Sequence, residues 1–196
     1  MENETLRYYD ENSEQFAEET FDADIHDIQD RFLCKIRPQG RILDLGCGAG
    51  RDAGYFNERG YIVEALDGSK EMCRIARENT GLPVRCMKFE ELDDKEVYDG
   101  IWACASILHL PKKDLQQMIR QLTDAAVQGG TIYMSFKYGD FEGMKGSRYF
   151  TYLTEDMFRR LVSGITTLKI EEMFITGDVR AGRGDEKWLN VIARRI

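Results

Sequence analysis

The sequence predicts an α/β fold, a mostly parallel sheet with helices on both faces, and three observations carry that prediction. Short apolar runs alternate with amphipathic stretches along most of the chain, the order that builds a parallel sheet by crossover connections. One such run, residues 42–45, passes directly into the glycine turn Gly46-Cys-Gly-Ala-Gly50 and then into a helix from about Arg51. That unit belongs at the carboxyl edge of an open parallel sheet. The last two apolar segments, 166–176 and 186–195, alternate as an antiparallel pair does, with 177–184 between them.

At 196 residues, with 42% apolar and 32% charged side chains, the chain reads as one ordinary globular domain. No apolar run approaches the roughly 20 residues of a membrane span. The opening Met1-Glu-Asn-Glu is acidic rather than basic-then-apolar, so a cytoplasmic protein without a secretory signal is expected. Five scattered cysteines (34, 47, 73, 86 and 104) contain no C-x-x-C pair, which points to reduced, buried thiols and no metal. The net charge of −8 and pI of about 5.0 make a nucleic-acid partner an unlikely expectation.

Taken in order, residues 3–20 are rich in Glu, Asn and Tyr, and Leu6, Tyr9, Ser13, Phe16 and Thr20 recur at helical spacing. Ile25, Ile28, Phe32, Leu33 and Ile36 form one stripe, predicting a helix over 23–36 that Arg37-Pro-Gln-Gly40 ends. After the glycine turn, a short helix stops at Gly60, and 61–66 is a second buried strand closing on Asp67. Met72, Ile75 and Ala76 face the core from the helix that Ser69 caps. Strands follow at 82–87, 98–105 and 131–136; Pro111 opens the helix between the last two, and Gln128-Gly-Gly130 stops it. Residues 137–150 read as a long loop in which Lys137, Lys145 and Arg148 are interleaved with Tyr138, Phe141, Tyr149 and Phe150. A helix capped at Thr154 precedes the final strand pair.

The spelling of the turn separates two kinds of ligand. A dinucleotide fingerprint, G-x-G-x-x-G/A, needs a small residue where this chain has Arg51. Here the turn is G-x-G-x-G, and an acid, Asp44, lies two residues before its first glycine. The chain thereby resembles the class I S-adenosylmethionine-dependent methyltransferases, whose motif is D/E-x-G-x-G-x-G. The resemblance covers residues 40–136 by motif and the rest by element order. It implies a Rossmann-like, seven-stranded, mostly parallel sheet with the last strand pair antiparallel. It also implies an acid near the methionine end of the cofactor and an N-terminal segment folded over it as a lid; a solvated leader helix packed by Phe16 is the alternative for that segment.

Asp67 stands at the end of the strand after the turn, where a carboxylate accepts two hydrogen bonds from vicinal ribose hydroxyls; capping of the next helix is the other reading. Where the family commonly has an Asp for the adenine amino group this chain has Lys88, so the backbone N–H of Phe89 and the carboxylate of Glu90 are the substitutes. The cofactor set expected from the resemblance is Asp44, Gly46, Cys47, Gly48, Gly50, Asp67, Gly68, Phe89, Glu90 and Ala105. His109, at the exit of strand four, is the candidate base for an acceptor that must lose a proton; its alternative is a cap on the following helix. Tyr9, Lys137, Tyr138, Lys145 and Arg148 form the candidate acceptor-binding set, with an anionic group on the acceptor as the reason for the cations. The domain divides into a lid (1–38), a cofactor-binding core (39–136), a substrate loop (137–150) and a closing helix with strand pair (151–196). The expected function is methyl transfer from S-adenosylmethionine, without a metal, to a small molecule. An RNA or protein methyltransferase, a nicotinamide-dependent reductase and a non-catalytic S-adenosylmethionine-binding module are the alternatives. Oligomeric state is left open.

Overall fold

The computed structural model describes residues 4–180 and 182–196. A seven-stranded sheet runs through the molecule, made of β1 (Arg41–Leu45), β2 (Ile62–Asp67), β3 (Val84–Cys86), β4 (Tyr98–Ala103), β5 (Ala126–Lys137), β8 (Leu168–Gly177) and β9 (Lys187–Arg195). Their spatial order is β3-β2-β1-β4-β5-β9-β8, so the chain reverses direction of travel across the sheet between β1 and β4. β1 to β5 are mutually parallel, and β9 lies antiparallel to both β5 and β8. The Rossmann-like expectation is met, with β9 as the inverted strand.

Helices cover both faces, which is why β1 is apolar without alternation. Leu43 and Leu45 pack on one face with Ile101, Ile119, Phe136 and Phe158. These belong to the side covered by α6 (Lys112–Ala125) and α7 (Glu155–Val162). Ile42 faces the other way, toward Phe32, Phe56, Trp102 and Tyr133, under α3 (His26–Leu33) and α4 (Arg51–Glu58). Trp102 is fully buried and stacks on Tyr133 with ring centroids 3.9 Å apart. α5 (Lys70–Thr80) is capped as its sequence foretells: Ser69 Oγ accepts the Met72 N–H, and Gly81 closes the helix in the left-handed conformation.

Three predicted elements change. The 23–36 helix contracts to α3, and Ile36 contributes to the core from the irregular turn beyond it. Gly129 and Gly130 do not stop α6; the helix ends at Ala125 and β5 already begins at Ala126, with the extra residues absorbed in a bulge opposite Tyr98 and Gly100. The predicted loop 137–150 is in large part a hairpin, β6 (Glu142–Lys145) and β7 (Arg148–Thr151). Gly146 at φ +59 supplies the first central position of its two-residue turn. At the other end, α1 (Glu4–Glu11) and α2 (Ser13–Thr20) cross the carboxyl edge of the sheet.

Candidate active site

The carboxyl ends of β1 and β4 diverge at the point where strand order reverses, and the space between them opens into a cavity of about 700 Å³. The glycine turn forms its floor. Gly46 (φ +76) is locked because its N–H and that of Cys47 both bond the Leu66 carbonyl, at 2.7 and 3.0 Å. A Cβ at Gly46 would come within 2.3 Å of Ser106 Cβ. Gly48 (φ +53) is different: a Cβ there would meet nothing, because it would project into the open cavity. Gly50 caps α4 and faces Thr80 rather than the cavity.

Asp67 binds this turn to β2. Its Oδ2 accepts the Gly48 N–H at 2.9 Å and its Oδ1 the Ser69 N–H at 2.8 Å. The Gly68 N–H also bears on the carboxylate, and the acceptor capacity left over is what a ribose hydroxyl would take. Burial pushes the Asp67 carboxyl up, and these N–H bonds oppose it. Asp44 is 2% exposed and lies beneath the floor; its Oδ2 has no partner among the described residues. Burial first, then the neighbouring Asp52, push its carboxyl well up, while Arg51 opposes them. An orphaned buried carboxylate oxygen under a cavity is a site awaiting a cation or a bridging water. Phe89, Gly68 and Ala105 complete the expected cofactor wall, and Glu90 stands at its rim. Ala105 holds φ +50, and its N–H is fixed by Ser135 Oγ at 2.8 Å.

These residues fit S-adenosylmethionine. Asp67 presents a carboxylate for a ribose, Gly48 leaves the room a ligand needs, and Asp44 holds beneath the turn an unpartnered carboxyl oxygen that a methionine ammonium would draw to its charged form. α1 lies across the same edge. Asp10 Oδ1 accepts the Ser69 hydroxyl at 2.6 Å and the Glu71 N–H at 3.2 Å, and Leu6 sits over Gly68.

The far side of the cavity is built by α1, β7 and the turn after β4. Tyr9 Oη lies 2.9 Å from His109 Nε2, and His109 Nδ1 lies 2.7 Å from the Tyr149 carbonyl. A carbonyl only accepts, so Nδ1 carries the proton and Nε2 receives the Tyr9 hydroxyl. Burial pulls the His109 pKa down to about 4, with Arg148 adding to the effect. The imidazole is therefore neutral at pH 7 and both its nitrogens are engaged; it does not cap α6. Arg148 sits 4.6 Å over the Tyr8 ring and 5.2 Å over Phe150, and its Nη1 reaches Tyr9 Oη at 3.5 Å. It forms no ion pair among the described residues.

Of the candidate acceptor residues, Tyr9, Lys137 and Arg148 line the cavity. Tyr138 and Lys145 do not, and their expected place is corrected. Side chains alternate along β5, so with Lys137 facing the cavity Tyr138 faces away, into a separate shallow depression beside Glu155. Lys145 is at the hairpin tip, bonded to the Tyr152 hydroxyl at 2.9 Å. Two groups were not foreseen. Asp52, 7% exposed, gathers Arg51, Gln29 and the Trp102 indole. Asp178 and Arg180 line the cavity from the β8–β9 link, and Trp188 from the start of β9. Among the described residues no group of three His, Cys, Asp or Glu converges to hold a metal, and no helix is long and apolar enough to cross a membrane.

Comparison with known proteins agrees with this geometry. Residues 42–130 match a family model described as a methyltransferase domain. An uncharacterized methyltransferase of Staphylococcus carnosus is 26% identical over 138 residues, 67% of this chain and 67% of its own length. A probable S-adenosyl-L-methionine-dependent methyltransferase, TehB, of Haemophilus influenzae is 25% identical over 132 residues, 64% of this chain but only 46% of its own. Among solved structures, 1,6-didemethyltoxoflavin-N1-methyltransferase of Burkholderia thailandensis superposes with a TM-score of 0.76 at 18% identity, covering 97% of this chain and 86% of that one. Residues 42–130 thus match a methyltransferase domain, and the glycine turn, its two flanking acids and the strand order are similar to those of the class I S-adenosylmethionine-dependent methyltransferases.

Proposed function

We propose that this enzyme methylates a small, anionic acceptor held in the part of the cavity bounded by Tyr9, His109, Arg148 and Phe150. The observation that carries the reading is Arg148: a guanidinium without a carboxylate partner among the described residues, set among aromatic rings in a cavity continuous with the glycine turn. A half-buried cation lacking a counter-ion is a ready site for an anionic ligand that supplies one. The rings beside it offer flat apolar walls, so a compact acid with an unsaturated body fits best. The Burkholderia neighbour, whose structure holds 1,6-didemethyltoxoflavin and S-adenosylhomocysteine, supports a small acceptor in this kind of space. The acidic net charge weighs against nucleic acid. Five free, scattered thiols support a cytoplasmic setting.

When bound, S-adenosylmethionine supplies a methyl group already activated on a sulfonium. The chain's own contribution is position and proton management. Arg148 anchors the acceptor's anionic group. Tyr9 has its proton committed to His109 Nε2, so its oxygen faces the cavity as an acceptor and can receive an X–H donor from the atom to be methylated. A proton leaving that atom goes to Tyr9 Oη as Tyr9's own proton passes to His109 Nε2. With its pKa held down at about 4, His109 takes that proton only once methyl transfer has made the acceptor atom strongly acidic. α1 and the β6–β7 hairpin keep bulk water out of this space.

A screen of small acceptors sorted by charge, scored by S-adenosylhomocysteine release, tests the proposal. Turnover confined to anionic acceptors supports it, as does a raised acceptor KM in Arg148→Ala. Methylation of neutral or cationic acceptors alone removes the anion from the account.

A further inference from the structure

The cavity carries a second guanidinium on its third wall, one that the motifs gave no reason to expect. Asp178, just beyond β8, has a side chain only 2% exposed. Its carboxylate accepts the Arg180 backbone N–H at 3.0 Å, Arg180 Nε at 2.9 Å, Arg180 Nη2 at 2.5 Å and the Trp188 indole N–H at 3.1 Å. Four donors on one carboxylate exceed what an ordinary surface ion pair has. They fix the plane of the guanidinium and leave Nη1 without a partner among the described residues, at the cavity wall.

Asp178 is its direct counter-ion, and further charges share the wall. Lys137 and Arg183 face the same wall, and Glu186 lies against both, paired with Lys137 and 4.0 Å from Arg183. Lys137, Arg180 and Arg183 thus meet Asp178 and Glu186, and Glu19 also bears on Arg180. Arg180 also interacts electrostatically with Tyr9, after its dominant bond to Asp178. Tyr9 is the phenol that Arg148 reaches from β7. Arg148, on the β6–β7 hairpin, thus reaches the Tyr9 hydroxyl, while Arg180, on the β8–β9 link, lines the same cavity.

We propose that Arg180 is a second anion-binding residue of this chamber, and that the acceptor is a small molecule with two anionic groups, one held by Arg148 and the other by Arg180. This rests on the reading of the chamber as the acceptor site. It adds specificity: a monoanion on Arg148 leaves the Nη1 of Arg180 without an acceptor, whereas a second anionic group takes that donor beside the Asp178 pair. Asp178 and Trp188 are positioning residues, because they touch Arg180 and not the acceptor.

The test is calorimetric titration of the S-adenosylhomocysteine-loaded protein with benzoate and with the three benzenedicarboxylates, which share a ring and differ in charge and spacing. At least one dicarboxylate should bind about tenfold more tightly than benzoate, the scale of one charge-assisted contact. In Arg180→Gln that ratio should fall to within about twofold, the gain having come from a single contact. Asp178→Asn leaves Arg180 in place but loosely held, so it should lower the ratio as well. It serves also if Arg180→Gln does not melt cooperatively. A wild-type ratio near one, or a ratio that survives both substitutions, overturns the role of Arg180 while leaving a monoanionic acceptor intact. Failure of all four acids to bind the wild-type protein overturns the anionic acceptor itself.

Discussion

Gly46 and Gly48 lie two residues apart, both at positive φ, and alanine should affect them in opposite ways. At Gly46 the new Cβ falls 2.3 Å from Ser106 Cβ and 3.2 Å from Phe89 Cζ. Ser106 is 4% exposed in the turn beyond β4, so the approach must be relieved by shifting packed backbone. Left-handed backbone strain of about 1–2 kcal/mol adds to overpacking of about 1–3 kcal/mol, so Gly46→Ala should lose about 2–5 kcal/mol of stability and its cofactor affinity together. Ser106→Gly in the same chain removes the clashing carbon and should recover the overpacking part, leaving only the strain. At Gly48 the Cβ meets nothing within 4 Å, so Gly48→Ala should cost only the strain of about 1–2 kcal/mol. That open space is where the ligand must approach the backbone, so binding should suffer far more than folding. Thermal melting paired with titration of S-adenosylhomocysteine separates the two effects. A Gly48→Ala protein that melts near wild type and binds the ligand normally would refute the claim that the space above the turn is the cofactor's.

Asp67→Ala should weaken S-adenosylhomocysteine by about 1–3 kcal/mol, the scale for losing a charged hydrogen-bond partner, measured by calorimetry; unchanged affinity would dissociate Asp67 from the ribose. Arg148→Ala should raise the acceptor's KM about tenfold or more, for charged hydrogen bonds of about 1.5–3 kcal/mol, with the cofactor constant nearly unchanged. His109 gives a pH signature. Its folded pKa of about 4 lies below its ordinary value of 6.5, so the unfolded chain binds the extra proton first, and stability falls as pH drops from 6.5 toward 4. Over that window His109 should account for up to about 3 kcal/mol, read as the difference in acid-induced destabilisation between wild type and His109→Asn. Parallel curves would mean that the imidazole is not held neutral.

Legibility in the sequence followed the range of the interactions. The glycine turn, the Ser69 and Thr154 caps and the β2–Asp67 junction are local, each set by residues within a few positions, and each was readable. The hairpin at 142–151 was also locally encoded, by Gly146-Ser147 between short alternating segments, but the dense charges around it read as a loop. Tyr138 and Lys145 were misplaced because composition says nothing of side-chain alternation or of a turn tip. The Tyr9–His109 pair joins positions 100 residues apart, and Arg180 takes its orientation from a carboxylate that also holds Trp188 on the next strand. No spacing rule reaches such contacts; they exist only once the sheet order brings β4, β5 and β9 to one edge.

The most direct test is a crystal structure of the protein with S-adenosylhomocysteine. The account predicts the ribose hydroxyls on Asp67, the chain of the amino acid over Gly46–Gly48 with its ammonium toward Asp44, and the sulfur opening into the chamber of Tyr9, His109 and Arg148. A sulfur facing closed protein, or a ligand bound away from the glycine turn, would contradict it.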